Sequence, residues 1–327
     1  GIGTFTSSIT GLTSGVTYYV RAYATNSLGT KYGSEISFNT SQAVATLAAT
    51  TTVSSIGSAS AVSGGNITYN GGAAVTVSGI VWSTTSTPTI ALSTKTTNGA
   101  ASGTYTSNIT GLTPGTLYYV RSYATNSVGT SYGAQASFTT LNTPTISATA
   151  SATSITSSTA TIGGAITSDG GAAITSRGVV YGTSSGSATY SATSGTGTGT
   201  YTISLTGLTP ATTYFARSFA SNSVGTVYGT ETNFTTIAVE PTVSATAVAA
   251  SITGSSATSG GTISSNGGAT VTVSGVVWST TSTPTIALAT KTTNGAATGT
   301  YTSSLTGLAP ATLYYVRAYA TNSIGTA

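Results

Sequence analysis

Cysteine, methionine and histidine are all absent from the 327 residues of this chain. Without cysteine there is no disulfide framework and no thiol chemistry, and without cysteine and histidine the usual zinc ligands are missing. The lack of cysteine and methionine also removes the side chains that oxidise most readily. The sequence therefore predicts no cofactor and no metal site, and its composition suits an exposed extracellular or cell-surface protein.

Charge and long apolar runs are also scarce. Charged residues make up 4% of the chain, with eight Lys+Arg and four Asp+Glu. The basic residues form no cluster, which makes nucleic acid a poor partner. No stretch approaches the roughly 18 uninterrupted apolar residues of a membrane-spanning helix. Threonine, serine and glycine supply the balance, and threonine favours strands while glycine marks turns.

An internal repeat organises the whole chain. The segment GLTPGTLYYVRSYATNSVGTSYGAQASFTT at 111–140 recurs with small changes, and its arginine falls at Arg21, Arg121, Arg217 and Arg317. A period near one hundred residues is that of a whole domain rather than of a solenoid unit. We predict the C-terminal half of a repeat at 1–42, repeats at 43–142 and 143–238, and a repeat lacking its last strand at 239–327. The expectation is a window of a longer array.

The acidic residues do not form a site that recurs with the repeat. They are Glu35, Asp169, Glu231 and Glu240. Glu35 and Glu231 are equivalent positions, but the second repeat has Gln135 there. General acid–base catalysis needs a proton carrier and calcium needs several carboxylates in one place. We therefore predict that the chain is not an enzyme and holds no calcium at the repeat junctions.

Each repeat shows the pattern of an all-β domain. Residues 141–238 contain six or seven alternating segments of about 5–10 residues separated by turn signals, and none has a sustained helical period. In the sixth segment, Tyr118, Val120, Ser122 and Ala124 share one face and should point to the core. A leucine lies six residues before each leading tyrosine, an arrangement typical of a structural tyrosine corner. The four predicted corner residues are Tyr18, Tyr118, Tyr214 and Tyr314.

The run L-x-P-x-T-x-Y-x-V-x-x-x-A-x-N-x-x-G resembles the second half of fibronectin type III domains, in the Thr/Gly-rich version found in Bacteroidota secreted and surface proteins. The resemblance implies a tandem, end-to-end array of antiparallel Greek-key β-sandwiches. The tryptophan usual on the second strand of the wider family is missing, and Trp82 and Trp278 lie instead at the end of the third strand. No Arg-Gly-Asp occurs, so integrin-type adhesion is not implied.

An aromatic stripe with a central arginine is predicted on the other face of the sixth strand. One interpretation is packing, with each arginine stacked between neighbouring rings. The other is a contact patch for a sugar or for another chain, since aromatic residues and arginine are enriched at interfaces. The possible patch comprises Tyr19, Arg21, Tyr23, Tyr119, Arg121, Tyr123, Phe215, Arg217, Phe219, Tyr315, Arg317 and Tyr319, with Trp82 and Trp278 on the paired strand.

The sequence favours a structural role. Tandem domains with short linkers and no site chemistry are typical of an extracellular stalk, adhesin or surface filament that spaces or presents other domains. The expected partners are neighbouring repeats of the same chain, with self-association into fibres as a further hypothesis. The alternative is an array of carbohydrate-binding modules that contact surface glycans through exposed aromatic residues.

Overall fold

The computed structural model describes residues 2–296 and 298–327. This part of the chain is all-β, with 24 strands and no helix, and every strand pairing is antiparallel. It therefore contains no helix that could cross a membrane. The chain divides into two compact units, Gly1–Thr143 with Gly170–Ala172, and Pro144–Asp169 with Ala173–Ala327.

The first unit contains strands β1 to β11. Their bounds are β1 Thr17–Val20, β2 Tyr23–Asn26, β3 Gly29–Tyr32, β4 Ile36–Asn39, β5 Thr46–Leu47, β6 Ser60–Tyr69, β7 Val77–Ser83, β8 Gly103–Thr110, β9 Leu117–Thr125, β10 Thr130–Tyr132 and β11 Ala136–Thr139. In residues 1–42, β1 pairs with β4 and β2 with β3. From residue 43 onward a sheet in the order β5-β6-β8 forms one layer, and β7, β9, β10 and β11 form the other.

The second unit contains strands β12 to β24. Their bounds are β12 Thr145–Ile146, β13 Ala160–Ser168, β14 Ser176–Gly182, β15 Tyr190–Thr193, β16 Gly199–Leu205, β17 Thr213–Ser221, β18 Thr226–Tyr228, β19 Thr232–Thr235, β20 Thr242–Ala250, β21 Ser256–Ser265, β22 Val273–Ser279, β23 Gly299–Thr306 and β24 Tyr315–Thr321. Sheet β12-β13-β16 accompanies a five-stranded sheet built on β14 and β17, and sheet β20-β21-β23 accompanies the pair β22-β24.

The connections are those of a Greek key. Strands β6 and β7 follow each other in sequence but lie in different sheets, after which β8 returns to β6 and β9 returns to β7. Separate buried clusters fill residues 45–138, 146–234 and 243–320. The prediction of an all-β fold made of antiparallel Greek-key β-sandwiches is confirmed.

Alternation along β9 places the core as predicted. Tyr118, Val120, Ser122 and Ala124 are all buried, whereas Tyr119 and Arg121 on the other face are only half-buried. Residues two apart on a strand point to the same side, so a single burial preference fixes the orientation of the whole strand.

A glycine pair in the second strand of each repeat leaves no room there for a large side chain such as tryptophan. A Cβ at Gly64 would overlap the carbonyl of Tyr105, and a Cβ at Gly65 would lie 2.7 Å from the Tyr105 hydroxyl. The ring of Tyr105, carried by the neighbouring strand β8, therefore uses the space that a side chain on β6 would need. Gly164 and Gly261 stand at the same place beside Tyr201 and Tyr301.

Candidate functional site

The structure contains a tyrosine corner at each of the four predicted positions. The hydroxyl of Tyr118 accepts a hydrogen bond from the backbone N–H of Thr113 at 3.0 Å. The same bond reaches Tyr18, Tyr214 and Tyr314 from the residue five positions earlier, at 2.8, 3.0 and 3.0 Å. The bond from Thr13 lowers the pKa of Tyr18 from its usual value. The corner fixes the loop that precedes β9 and the loops at the equivalent place in the other repeats.

Three of the four arginines of the aromatic stripe stack on a tyrosine that the sequence interpretation missed. The Arg121 guanidinium carbon lies 4.4 Å from the ring centroid of Tyr132, and its Nε donates to the carbonyl of Gly133 at 3.3 Å. Arg21 stacks in the same way on Tyr32 at 5.1 Å, and Arg217 on Tyr228 at 5.0 Å. The signal was present in the sequence, since a tyrosine follows each of these arginines after eleven residues.

Five members of the predicted contact patch are buried, and three of them belong to the stripe on the sixth strand of each repeat. Tyr123 is only 2% exposed, and Phe219 and Tyr319 are also buried. Tyr123 lies on the face of β9 that was predicted to point outward. The chain that follows β7 covers it, and the Tyr123 hydroxyl donates to the carbonyl of Thr96 at 2.7 Å. Tyr319 makes the same bond to Thr292 at 2.6 Å. Their assignment to an exposed patch is therefore wrong.

The two tryptophans also lie in the interior. Trp82 is 8% exposed and Trp278 is 7% exposed, each within a core cluster. Trp82 is the register partner of Val120, and Trp278 that of Val316. Directly opposed residues on paired strands share a face, so both tryptophans follow their valine partner into the core. The prediction that they extend the stripe is wrong, and the carbohydrate hypothesis loses its largest aromatic groups.

The remaining members of the stripe keep at least part of their surface. Tyr19, Arg21 and Tyr23 are exposed, as are Tyr315 and Arg317. Tyr119, Arg121, Phe215 and Arg217 are half-buried. A contact role for this reduced set stays a prediction.

Glu231 anchors a loop in the third repeat. Its carboxylate accepts hydrogen bonds from Ser185 Oγ at 2.6 Å and from the Gly186 backbone N–H at 2.9 Å. These two donors hold the pKa of the Glu231 carboxyl below its usual value. Glu231 and Gly186 line a cavity of about 330 Å³ together with Arg217 and Tyr228. Gln135 takes the equivalent part in the second repeat, accepting from the Thr87 N–H at 2.5 Å.

Within the residues that the structure describes, no group of three or more histidine, cysteine, aspartate or glutamate side chains could hold a metal ion. Glu231, one of the four acidic residues, therefore has a structural role, which Gln135 fills in the second repeat. The amide oxygen of Gln135 keeps a bond from a backbone N–H, because that bond needs only a hydrogen-bond acceptor.

A second set of tyrosines joins the two sheets. The Tyr105 hydroxyl lies 3.0 Å from the carbonyl oxygens of both Gly79 on β7 and Tyr123 on β9. Tyr201 and Tyr301 reach the equivalent pairs of carbonyls at 2.6 to 3.2 Å. The sequence interpretation did not single these residues out, although each follows a Gly-Thr pair at the start of its strand.

The linkers within each unit are clamped by hydrogen bonds. In the first unit, the Ala43 N–H donates to Gly71 O at 2.9 Å. The buried side chain of Asn126 donates through Nδ2 to Ala43 O at 2.7 Å and to Asn70 O at 2.9 Å. The clamp thus joins the linker, the turn between β6 and β7, and the end of β9.

The second unit repeats this clamp bond for bond. The Val239 N–H donates to Gly267 O at 2.8 Å, and Asn322 Nδ2 donates to Val239 O at 2.7 Å and to Asn266 O at 2.9 Å. The sequence analysis noted only that the linkers are short. The structure adds a specific asparagine, placed by the register of a different strand, that the linker sequence does not reveal.

The same turn also packs on the preceding repeat. A Cβ at Gly72 would overlap the Cα of Gly15, and a Cβ at Gly268 would overlap the Cβ of Ala211. Both turn glycines have positive φ, +80° and +85°. In the first unit, Gln42 Nε2 donates to Gly72 O at 3.1 Å. Glycine is required here both for its backbone conformation and for the close approach of two repeats.

No protein-family model matches this chain, and no curated protein matches it. Among solved structures, the crystal structure of the chicken CNTN1 FN1–FN3 domains is similar to it. The similarity covers 86% of this chain and 94% of that chain, with 14% sequence identity and a TM-score of 0.31.

Proposed function

We propose that the chain is a structural repeat segment of a long extracellular or cell-surface stalk, adhesin or filament, which spaces or presents other domains. The observation that supports this most directly is the linker clamp, which occurs with the same three hydrogen bonds in both units. Its purpose is to make a repeat junction resist bending.

The clamp differs from an ordinary interdomain linker. Domains joined by short polar linkers usually move relative to each other unless an interface restrains them. Here the linker carbonyl and N–H at position 43 are both bonded to the repeat that follows, and the glycine turn of that repeat contacts the preceding one. Each bond removes a degree of freedom that bending would need, which supports a spacing role.

The composition supports the proposed location. The chain has no cysteine, methionine or histidine, so it offers few side chains that an oxidising environment can modify. Its polar side chains are mainly the hydroxyls of threonine and serine, which stay uncharged over a wide pH range. A spacer outside the cell needs this tolerance more than it needs reactive groups.

Small-angle X-ray scattering of the purified chain tests the proposal. A rod-like distance distribution reaching roughly 100 Å is expected, since each repeat contributes about 35 Å from strands of about ten residues. A compact, globular distribution would contradict the spacing role.

A matched pair of variants tests the contribution of the clamp. Gly72→Ala places a Cβ against Gly15, whereas Gly103→Ala has nothing within 4 Å of the new Cβ and a similar φ of +76°. Both variants carry the same backbone strain, but only the first disturbs a junction. We expect Gly72→Ala to broaden the scattering distance distribution and Gly103→Ala to leave it unchanged. Equal behaviour of the two variants would remove the clamp as the source of stiffness.

A further inference from the structure

Four Asn-Gly pairs occur in the sequence, in two duplicated contexts. Two lie in the junction turns, at Asn70–Gly71 and Asn266–Gly267, and two in the loops after the third strand, at Asn98–Gly99 and Asn294–Gly295. An asparagine followed by glycine is chemically labile, because the unhindered backbone nitrogen of glycine can reach the side-chain amide carbon. The four sites therefore differ in reactivity only through their surroundings.

The two loop asparagines are held at both ends of the amide. Asn98 donates through Nδ2 to Thr106 O at 2.7 Å and accepts through Oδ1 from Ser107 Oγ at 2.7 Å. Asn294 makes the same two bonds, to Thr302 and from Ser303, also at 2.7 Å. Rotation of either amide toward the following backbone nitrogen must first break both bonds.

The two junction asparagines lack this restraint. The exposed side chains of Asn70 and Asn266 accept a single hydrogen bond through Oδ1, from the N–H two residues ahead, at 2.9 Å each. Within the described ranges, 2–296 and 298–327, their Nδ2 groups donate to no other residue. The Gly267 N–H additionally donates to Ser265 Oγ at 3.1 Å, a bond that Gly71 does not make.

We propose that Asn70 and Asn266 are sites of spontaneous deamidation that modifies the repeat junctions. The nitrogen of the following glycine attacks the side-chain amide carbon, and the amide leaves as ammonia with the proton lost from that nitrogen, giving a cyclic imide. Water then opens the ring at either carbonyl and leaves an aspartyl or an isoaspartyl linkage. The overall change consumes one water and releases one ammonia, and needs no oxidant or enzyme. Asn70 reacts faster than Asn266, since the Gly267 N–H must first leave Ser265.

The third repeat shows which product the clamp tolerates. Asp169 stands at the position of Asn70, and its backbone carbonyl still accepts from Asn222 Nδ2 at 2.7 Å. An ordinary aspartyl linkage is therefore compatible with the turn. An isoaspartyl linkage adds a carbon to the main chain and displaces the carbonyl that Asn126 Nδ2 reaches, so this product releases one bond of the clamp. The chemistry depends only on the turn and does not require the spacing role.

Incubation of the intact chain in mildly alkaline buffer, followed by peptide mapping with mass spectrometry that separates isoaspartyl from aspartyl peptides, tests the proposal. We expect deamidation first at Asn70, then at Asn266, and at least about tenfold more slowly at Asn98 and Asn294, because two hydrogen bonds restrain those side chains. Loss of amide from Asn98 or Asn294 as fast as from Asn70, or no loss from Asn70, would overturn it.

Two variants keep the test decisive. Ser107→Ala and Ser303→Ala each remove one hydrogen bond from the restrained amides without touching the junction turns. Each variant should accelerate deamidation at its own loop site alone and leave the rates at Asn70 and Asn266 unchanged. Unchanged rates at both loop sites would show that the restraint is not the cause of the difference and would also overturn the proposal.

Discussion

At the scale of single residues, tyrosine hydroxyl groups make the hydrogen bonds that connect the two sheets. Tyr105, Tyr201 and Tyr301 each reach carbonyls on two strands of the opposite sheet, and burial raises the pKa of all three. For Tyr105 the pKa rises to about 12. The neutral hydroxyl is needed for the hydrogen bond, so these residues couple the stability of the sandwich to alkaline pH.

Tyr105→Phe is expected to lower the free energy of unfolding by about 1–3 kcal/mol, because two carbonyls lose their shared donor. The wild-type contribution is fully present below pH 10, the usual tyrosine value, and is lost as pH rises through about 12. The variant should therefore show a flatter alkaline decline in chemical denaturation followed across pH. Tyr119→Phe, whose ring lies on the opposite face of β9, is the control and should retain the wild-type decline.

Glu231 supplies the opposite pH dependence. Its folded-state pKa is lowered by the Ser185 and Gly186 donors, so its contribution is present above the unfolded-state value and is lost as pH falls through the lowered pKa. Glu231→Gln should keep the loop anchored, as Gln135 does in the second repeat, while removing this acidic dependence. Amide hydrogen exchange at Gly186 between neutral and acidic pH measures it. A variant whose loop opens at neutral pH would show that the charge itself is required.

At the scale of strands and loops, the alternation of residues along one strand predicted its buried face, whereas the pairing between strands could not be predicted from the sequence. The core face of β9 followed from residues 118–124 alone, because a two-residue period is a local property. The buried tryptophans and the stacking partner Tyr132 could not be assigned this way. Trp82 is oriented by its register with β9, and Tyr132 reaches Arg121 only because β10 folds back beside Tyr123. Register between strands distant in sequence is set by the assembled sheet.

One lysine holds the loop after β7 through hydrogen bonds to the loop backbone. Lys95 Nζ donates to the carbonyls of Ile90 at 2.7 Å and Leu92 at 2.9 Å, and Lys291 makes the equivalent bond to Ile286 at 2.6 Å. Replacing Lys95 by Met should remove these bonds and increase hydrogen exchange in residues 90–96 several-fold, with a loss of about 1–2 kcal/mol from hydrogen bonds to a charged group. Lys31→Met, on the exposed strand β3, should leave exchange in that loop unchanged.

At the scale of the whole molecule, the sandwiches and their repetition were predictable, whereas the clamp was not. Repetition and strand patterning are properties of sequence order. The clamp brings together a linker, a glycine turn and an asparagine 83 residues from the linker. Each of these residue types is common in turns and strand ends, so none marked a junction before the fold placed them together.

Removing the clamp asparagine is expected to uncouple adjacent repeats more than it destabilises either one. Asn126→Ala leaves the carbonyls of Ala43 and Asn70 without their side-chain donor, a loss of about 2 kcal/mol from two hydrogen bonds. Force spectroscopy of the chain should then show the first junction yielding before the sandwich at 43–142. Asn108→Ala, on the outer side of β8, is the control. Unchanged junction mechanics in Asn126→Ala would contradict the role given to the clamp.

The interior position of the tryptophans has an optical consequence. Trp82 and Trp278 report on the second and fourth repeats, whereas the third repeat carries Tyr181 at that place and contains no tryptophan. Indole emission is sensitive to contact with water, so each ring should shift its fluorescence when its own sandwich opens. Replacing either tryptophan by tyrosine, the residue nature uses in the third repeat, would leave a single natural label. Melting of one repeat within the array could then be followed by light alone, with no added dye.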